Sequence, residues 1–167
     1  MIRGCVVASC TLLLCVASTA ASAQDAAVKA LEPMLESVGK WSCDAKTLGE
    51  GTHPFKATLE LKKDFGGRAI VERYEERESD AHPQPKRLLS VWSYDPRTRR
   101  VMRNGADMTG NRIADSTAPM ADGKFMWEDE AYRIPVVAQS KTQFSFALTV
   151  PREGKWVTLA ESVCTRQ

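Results

Sequence analysis

The chain has 167 residues, 26% of them charged, and a formal net charge of +2. That is one domain's worth of sequence, long enough to bury a core without extra staples, and the near balance of charge leaves no one-signed field to draw nucleic acid or a membrane surface. His53 and His82 are the only histidines, which restricts metal binding and triad chemistry from the outset.

At the N-terminus, Arg3 precedes an apolar run from Cys5 to Ala17, and Ala21-Ser22-Ala23 supplies small residues at its end. The pattern is that of a secretory signal over residues 1–23, with 24–167 as a single mature domain. The apolar run continues past Cys10, which argues against lipid attachment there. Beyond Ala23 no apolar run approaches the roughly 18 residues of a membrane-spanning helix. Cleavage would remove Cys5, Cys10 and Cys15 and leave Cys43 and Cys164. An exported chain with one remaining pair predicts a disulfide and a periplasmic or extracellular location.

Val28, Leu31, Leu35 and Val38 are spaced for one helical face, so a short helix is expected over 25–38, capped by Asp25, kinked at Pro33 and ended by Gly39 as a C′ glycine. After it the periodicity changes. Phe55, Ala57, Leu59 and Leu61 alternate with Lys56, Thr58, Glu60 and Lys62, and Gly66-Gly67 turns the chain into a return strand from Ala69 to Arg77. The acidic stretch Glu72–Asp80 and His82-Pro83-Gln84-Pro85 read as a solvated strand end and an exposed loop. Leu88 to Tyr94 is the next strand; Asp95-Pro96-Arg97-Thr98 is a turn, and Arg99 to Asn104 returns. A weak strand at Arg112 to Ser116, one at Phe125 to Ala131 after the Asp122-Gly123 turn, an alternating one around Phe144, Phe146, Leu148 and Val150, and a last one from Lys155 to Cys164 complete the series. Short turns joining successive strands predict a mainly β fold, an up-and-down antiparallel barrel of about eight to ten strands with a short N-terminal helix.

If Cys43 lies directly opposite Cys164 on antiparallel neighbours, the same register sets Trp41 opposite Arg166 on the same face. That offers a guanidinium to an indole and joins the first strand to the last. A bridge between two loops would impose no such register.

Gly39-Lys40-Trp41 opening the first strand after a short helix, with Arg166 on the last strand, resembles the calycin pattern of lipocalins and fatty-acid-binding proteins. Ser93-Tyr94-Asp95-Pro96-Arg97-Thr98, followed by Gly110 and then Asp122-Gly123, is similar to DUF1579, a bacterial lipocalin-like family. The resemblance spans roughly residues 30–165. Its motifs are turn chemistry, so it implies a fold and carries over no catalytic residue. The related haem-binding nitrobindin group uses an axial histidine near its C-terminal strands. Both histidines here fall in the first half, so no haem is expected.

The side chains able to carry chemistry are few. No ligand spacing for a metal is present, and Ser90, Ser93 and Ser140 lack elbow glycines; neither a metal nor another cofactor is expected. Glu72, Glu76 and Asp129 share an inward register with Tyr74 and Trp127. An inward acid can act in proton transfer, although a solvated outer face is the ordinary outcome. Arg97, Arg99, Arg100 and Arg103 surround one hairpin, either as plain solvating charge or as a rim for an anion. No row of aromatics accompanies them as single-stranded nucleic acid would require.

Tyr74, Trp92, Trp127, Phe144 and Phe146 either fill the barrel or line a cavity. The leading reading is a small apolar or amphipathic ligand held by Tyr74, Trp92, Met102, Trp127 and Phe146, with Arg103 as an anion contact near the mouth. Gly39, Trp41 and Arg166 are structural. The alternative is a protein-interaction module, such as a hydrolase inhibitor, working through His82–Pro85 or Asp107–Asn111 around a solid interior. An enzyme stands third. An interior cavity of roughly several hundred cubic ångströms, the size typical of ligand sites, favours the first of these over the second.

Overall fold

The computed structural model describes residues 25–49, 51–79 and 82–167. The expected signal segment and its expected cleavage site lie outside the described residues. Ten strands follow a helix, α1, over 25–35: β1 (Gly39–Thr47), β2 (Pro54–Asp64), β3 (Ala69–Glu76), β4 (Arg87–Asp95), β5 (Arg100–Asp107), β6 (Arg112–Thr117), β7 (Lys124–Glu128), β8 (Arg133–Ser140), β9 (Gln143–Arg152) and β10 (Lys155–Arg166). Each strand pairs antiparallel with its sequence neighbours, and β1 pairs with β10, so the sheet closes into a barrel. Closure satisfies the backbone groups that an edge strand would leave unpaired.

The expected strands are present, with β8 added. Pro135 and the lack of alternation hide it in the sequence. Its first five residues are all half-buried, on both faces. Pro135 lies opposite Met126 of β7, while the β9 register skips from Arg133 to Val136. A residue without an N–H is tolerated where the ladder is already interrupted.

The helix ends sooner than the apolar spacing suggests. Pro33 sits in its last turn, and tighter bonds from Ser37 N–H to the Met34 carbonyl (3.0 Å) and from Val38 N–H to the Leu35 carbonyl (3.1 Å) close it. Leu31 and Met34 are fully buried against the core. Gly39 is not the helix's C′ residue. It opens β1 opposite Leu61, at φ 147°, where a Cβ would stand 3.0 Å from Arg166 Nη1. The glycine makes room for the arginine.

Arg166 binds that end of the barrel together. Its Nη1 donates to the Val38 carbonyl (3.0 Å), Nη2 to the Glu36 carbonyl (2.5 Å) and Nε to the Lys141 carbonyl (3.2 Å). Carbonyls at a helix C-terminus are natural partners for a cation. The guanidinium also stands 4.5 Å from the centre of the Trp41 ring. Trp41 Nε1 donates to the Ser37 carbonyl at 2.8 Å, and the indole meets Phe144 edge-on at 4.7 Å.

The register is the expected one. Trp41 lies opposite Arg166 and Cys43 opposite Cys164, with a disulfide joining the cysteines across 121 residues of sequence. Backbone pairing from Trp41–Arg166 to Thr47–Ala160 closes the barrel independently of the bridge. Cys43→Ser with Cys164→Ser is therefore expected to lower stability by about 2–4 kcal/mol while leaving a folded barrel. Urea unfolding with and without the substitutions measures it, and thiol labelling of the non-reduced protein should find neither cysteine reactive.

Candidate functional site: an aromatic cavity beside a buried acid network

The barrel interior is not packed solid. It holds a cavity of about 210 Å³ whose wall includes Tyr74, Trp92, Phe125, Trp127, Phe144 and Phe146. Trp92, Phe125 and Trp127 meet one another edge-on, with centroids 5.0–6.2 Å apart, the arrangement that aromatic quadrupoles favour. The two sides of the barrel differ. On β1 and β2 burial alternates residue by residue, as it does where inward side chains pack on other side chains. On β8 and β9 the lining residues Ile134, Val136, Phe146 and Leu148 stay half-buried, because they face open space.

Of the side chains the sequence singled out, Tyr74, Trp92, Arg103, Trp127 and Phe146 come together on this wall. Met102 does not. Val101 and Arg103 are the buried neighbours on β5, so alternation turns Met102 to the other face, between Ser93 and Ser116. Consecutive strand residues cannot both point inward.

Arg103 is also not at a mouth. It is only 5% exposed, and the anions it meets belong to the protein. Its Nε donates to Asp115 Oδ1 at 2.9 Å, Nη2 pairs with Asp115 Oδ2, and Nη1 lies 3.6 Å from Glu72 Oε2. Tyr132 donates its hydroxyl to Asp115 Oδ2 at 2.8 Å, and the guanidinium sits 4.9 Å from the centre of the Trp127 ring. Burial opposes the Arg103 charge, but the Glu72 and Asp115 carboxylates outweigh it and hold its pKa above the ordinary value. The basic cluster is thus divided. Arg97 and Arg99 are exposed in the turn, and Arg100 pairs with Glu128 at 2.8 Å.

The acids of β3 face inward, contrary to the expected solvated surface. Glu72 is 6% and Glu76 7% exposed, on either side of Tyr74 along one face. Glu72 Oε2 accepts from Ser90 Oγ (2.5 Å) and Trp92 Nε1 (2.9 Å). Glu76 accepts from the Tyr74 hydroxyl (3.2 Å) and the Lys86 backbone N–H (2.8 Å), and its Oε2 lies 2.7 Å from His82 Nε2. Burial first, then the Glu76 carboxylate, pushes the Tyr74 phenol above its usual range. His82 is not at an exposed loop tip either: its ring stacks on Phe55 at 4.5 Å. Asp129 alone takes the solvent side, accepting the Ala131 and Tyr132 backbone N–H groups in the turn after β7. Sequence reading missed Asp115; for Glu72 and Glu76 it had the inward parity with Tyr74 but took the solvated face as the ordinary outcome.

Among the described residues, no fully occluded side-chain nitrogen or oxygen lacks a partner, no three metal-ligating side chains cluster, and no helix is long and apolar enough to cross a membrane.

Solved structures share this architecture, these two among them. Rv2717c from M. tuberculosis superposes with a TM-score of 0.61 at 10% identity, over 83% of this chain and 97% of that one. The S-type phycobiliprotein lyase CPES from Guillardia theta gives 0.57 at 12% identity, over 86% and 97%. The fold is a lipocalin-like, calycin-like barrel. The chain matches no protein-family model and no curated protein sequence.

The loop from Asp107 to Asn111 of this barrel spends its polar groups on itself. Asp107 accepts from the hydroxyl and N–H of Thr109 and from the amide and N–H of Asn111, at 2.7–3.0 Å. The Thr109 hydroxyl and the Asn111 amide hold the Asp107 carboxyl down at about 2. A carboxyl lowered by folding stabilises above its unfolded pKa and loses that contribution as pH falls through the folded one. The loop's order is expected to persist at pH 5 and to fade only between about pH 4 and 2. Carboxyl ¹³C titration of Asp107 checks the midpoint.

Proposed function

We propose that the chain is an exported, DUF1579-type lipocalin-like carrier that holds one small apolar or amphipathic molecule inside its barrel. Fold likeness supports no function by itself. The reading rests on one observation: inward side chains of β8 and β9 stay half-buried around an aromatic cavity, where a purely structural barrel would fill them in. Tyr74, Trp92, Trp127 and Phe146 form the ligand wall, and Arg103 braces that wall from behind. The signal-like N-terminus and the disulfide support export to the periplasm or beyond.

The interaction-module reading draws less support. His82 is turned onto Phe55 and Glu76, and the Asp107–Asn111 loop is bonded internally. Native mass spectrometry of the protein purified from its source tests the choice. A small-molecule adduct at one copy per chain supports the carrier; a bound protein partner on an otherwise bare chain supports the module.

A further inference from the structure

The cavity has a charge preference. Glu72, Glu76 and Arg103 are the buried ionisable side chains of its wall, Asp115 stands behind Arg103, and Arg103 is the single buried Lys or Arg among the described residues. His82, against Glu76, offsets at most one more negative charge. Lys86 also lines the cavity but is exposed, so water screens it.

The decisive atom is Glu72 Oε1. All the donors that reach this carboxylate, Ser90, Trp92 and Arg103, go to Oε2. Among the described residues Oε1 accepts nothing. Occluded side-chain oxygens among those residues all have partners, so Oε1 is open, although the residue is 94% buried (6% exposed). The space it opens on is the cavity that Glu72 lines. A carboxylate oxygen out of bulk water and without a donor is costly unless something supplies one.

We infer that the barrel's ligand is a small aromatic amine, bound as its ammonium form, with the cation donating to Glu72 Oε1 and the ring against Trp92 and Trp127. This deepens the carrier reading and rests on it. Three observations set the ligand's chemistry. The wall is aromatic, so a flat ring is matched by edge-and-face contacts. The volume of 210 Å³ is that of about seven waters at ~30 Å³ each, which suits one or two fused rings with a short arm. The interior is net negative, so a cation is favoured and an anion is repelled in a medium that screens charge less than water does. Arg103 does not reverse this, because Asp115 already engages it through two nitrogens.

Three probes of one shape and different charge test it: 1-naphthylmethylamine, 1-methylnaphthalene and 1-naphthoate, each titrated calorimetrically into the disulfide-closed protein at neutral pH. The amine is expected to bind at least about tenfold tighter than methylnaphthalene, and naphthoate at least about tenfold weaker. Glu72→Gln should bring the amine-to-methylnaphthalene ratio to about one. If that variant fails to fold, the order among the three probes on the native protein decides. Binding of methylnaphthalene with no advantage for the amine, or naphthoate as the tightest probe, overturns the charge preference and leaves the carrier reading standing. An amine advantage that survives Glu72→Gln overturns the assignment to Glu72. Binding of none of the three overturns the carrier reading as well.

Discussion

Arg103→Met is expected to destabilise the barrel by about 3–5 kcal/mol, the range for breaking a buried ion pair from one side. The arginine stands between Asp115 and Glu72, both nearly fully buried. Methionine fills much of the volume and keeps the contact with Trp127, so the loss is not chiefly one of packing. It comes from two carboxylates left without their cation in a low-dielectric interior. Removing charge on the other side should therefore recover part of it: Arg103→Met with Asp115→Asn should be more stable than Arg103→Met alone. Urea unfolding of the four proteins gives the coupling. A loss under about 1 kcal/mol, with no recovery in the double variant, would mean that the ion network is not closed as described.

Trp41→Ala is expected to cost about 3–5 kcal/mol, as truncations of buried aromatics do. Trp41 is 2% exposed. Its ring contacts the Arg166 guanidinium and meets Phe144 in a T-shaped pair, and its Nε1 satisfies a carbonyl just past α1. Without it the helix that covers this end of the barrel loses its seat, so the α1 amides should also exchange faster. A measured loss below about 1 kcal/mol would place the tryptophan outside the end cluster.

The barrel was legible because its signals are local. Period-two alternation in β2 and β9 and the Asp95-Pro96 and Asp122-Gly123 turns mark strands without knowledge of the rest. The Cys43–Cys164 register was legible for a related reason: antiparallel pairing leaves one free parameter, and a single cross-link sets it. β8 was not legible, because its face toward the cavity and its outer face are about equally buried and no alternation results.

The site was legible in its aromatics and obscured in its charges. Hydrophobicity alone sends Met102 inward and Arg103 outward, and the structure reverses both. The register held the answer: the turn that pairs Asp95 with Arg100 also pairs Trp92 with Arg103, so the arginine shares the tryptophan's inward face. Glu72 and Glu76 likewise share the parity of Tyr74. Asp115 had no signal of its own on a weak strand, and its burial follows only once Arg103 is inside and needs a partner. Polarity misled where a compensated network lets charge enter a core.

The central claim is that the aromatic cavity accepts a small apolar molecule. Its most direct test is a titration of the disulfide-closed protein with 1-methylnaphthalene, read as quenching of tryptophan emission. The predicted result is saturable binding of one molecule per chain, weakened more than tenfold, about 1.4 kcal/mol, by Trp127→Ala, and blocked by Val136→Phe, which fills the cavity from its half-buried wall. A folded protein that shows no saturable quenching, or binding unaffected by either substitution, would contradict the account.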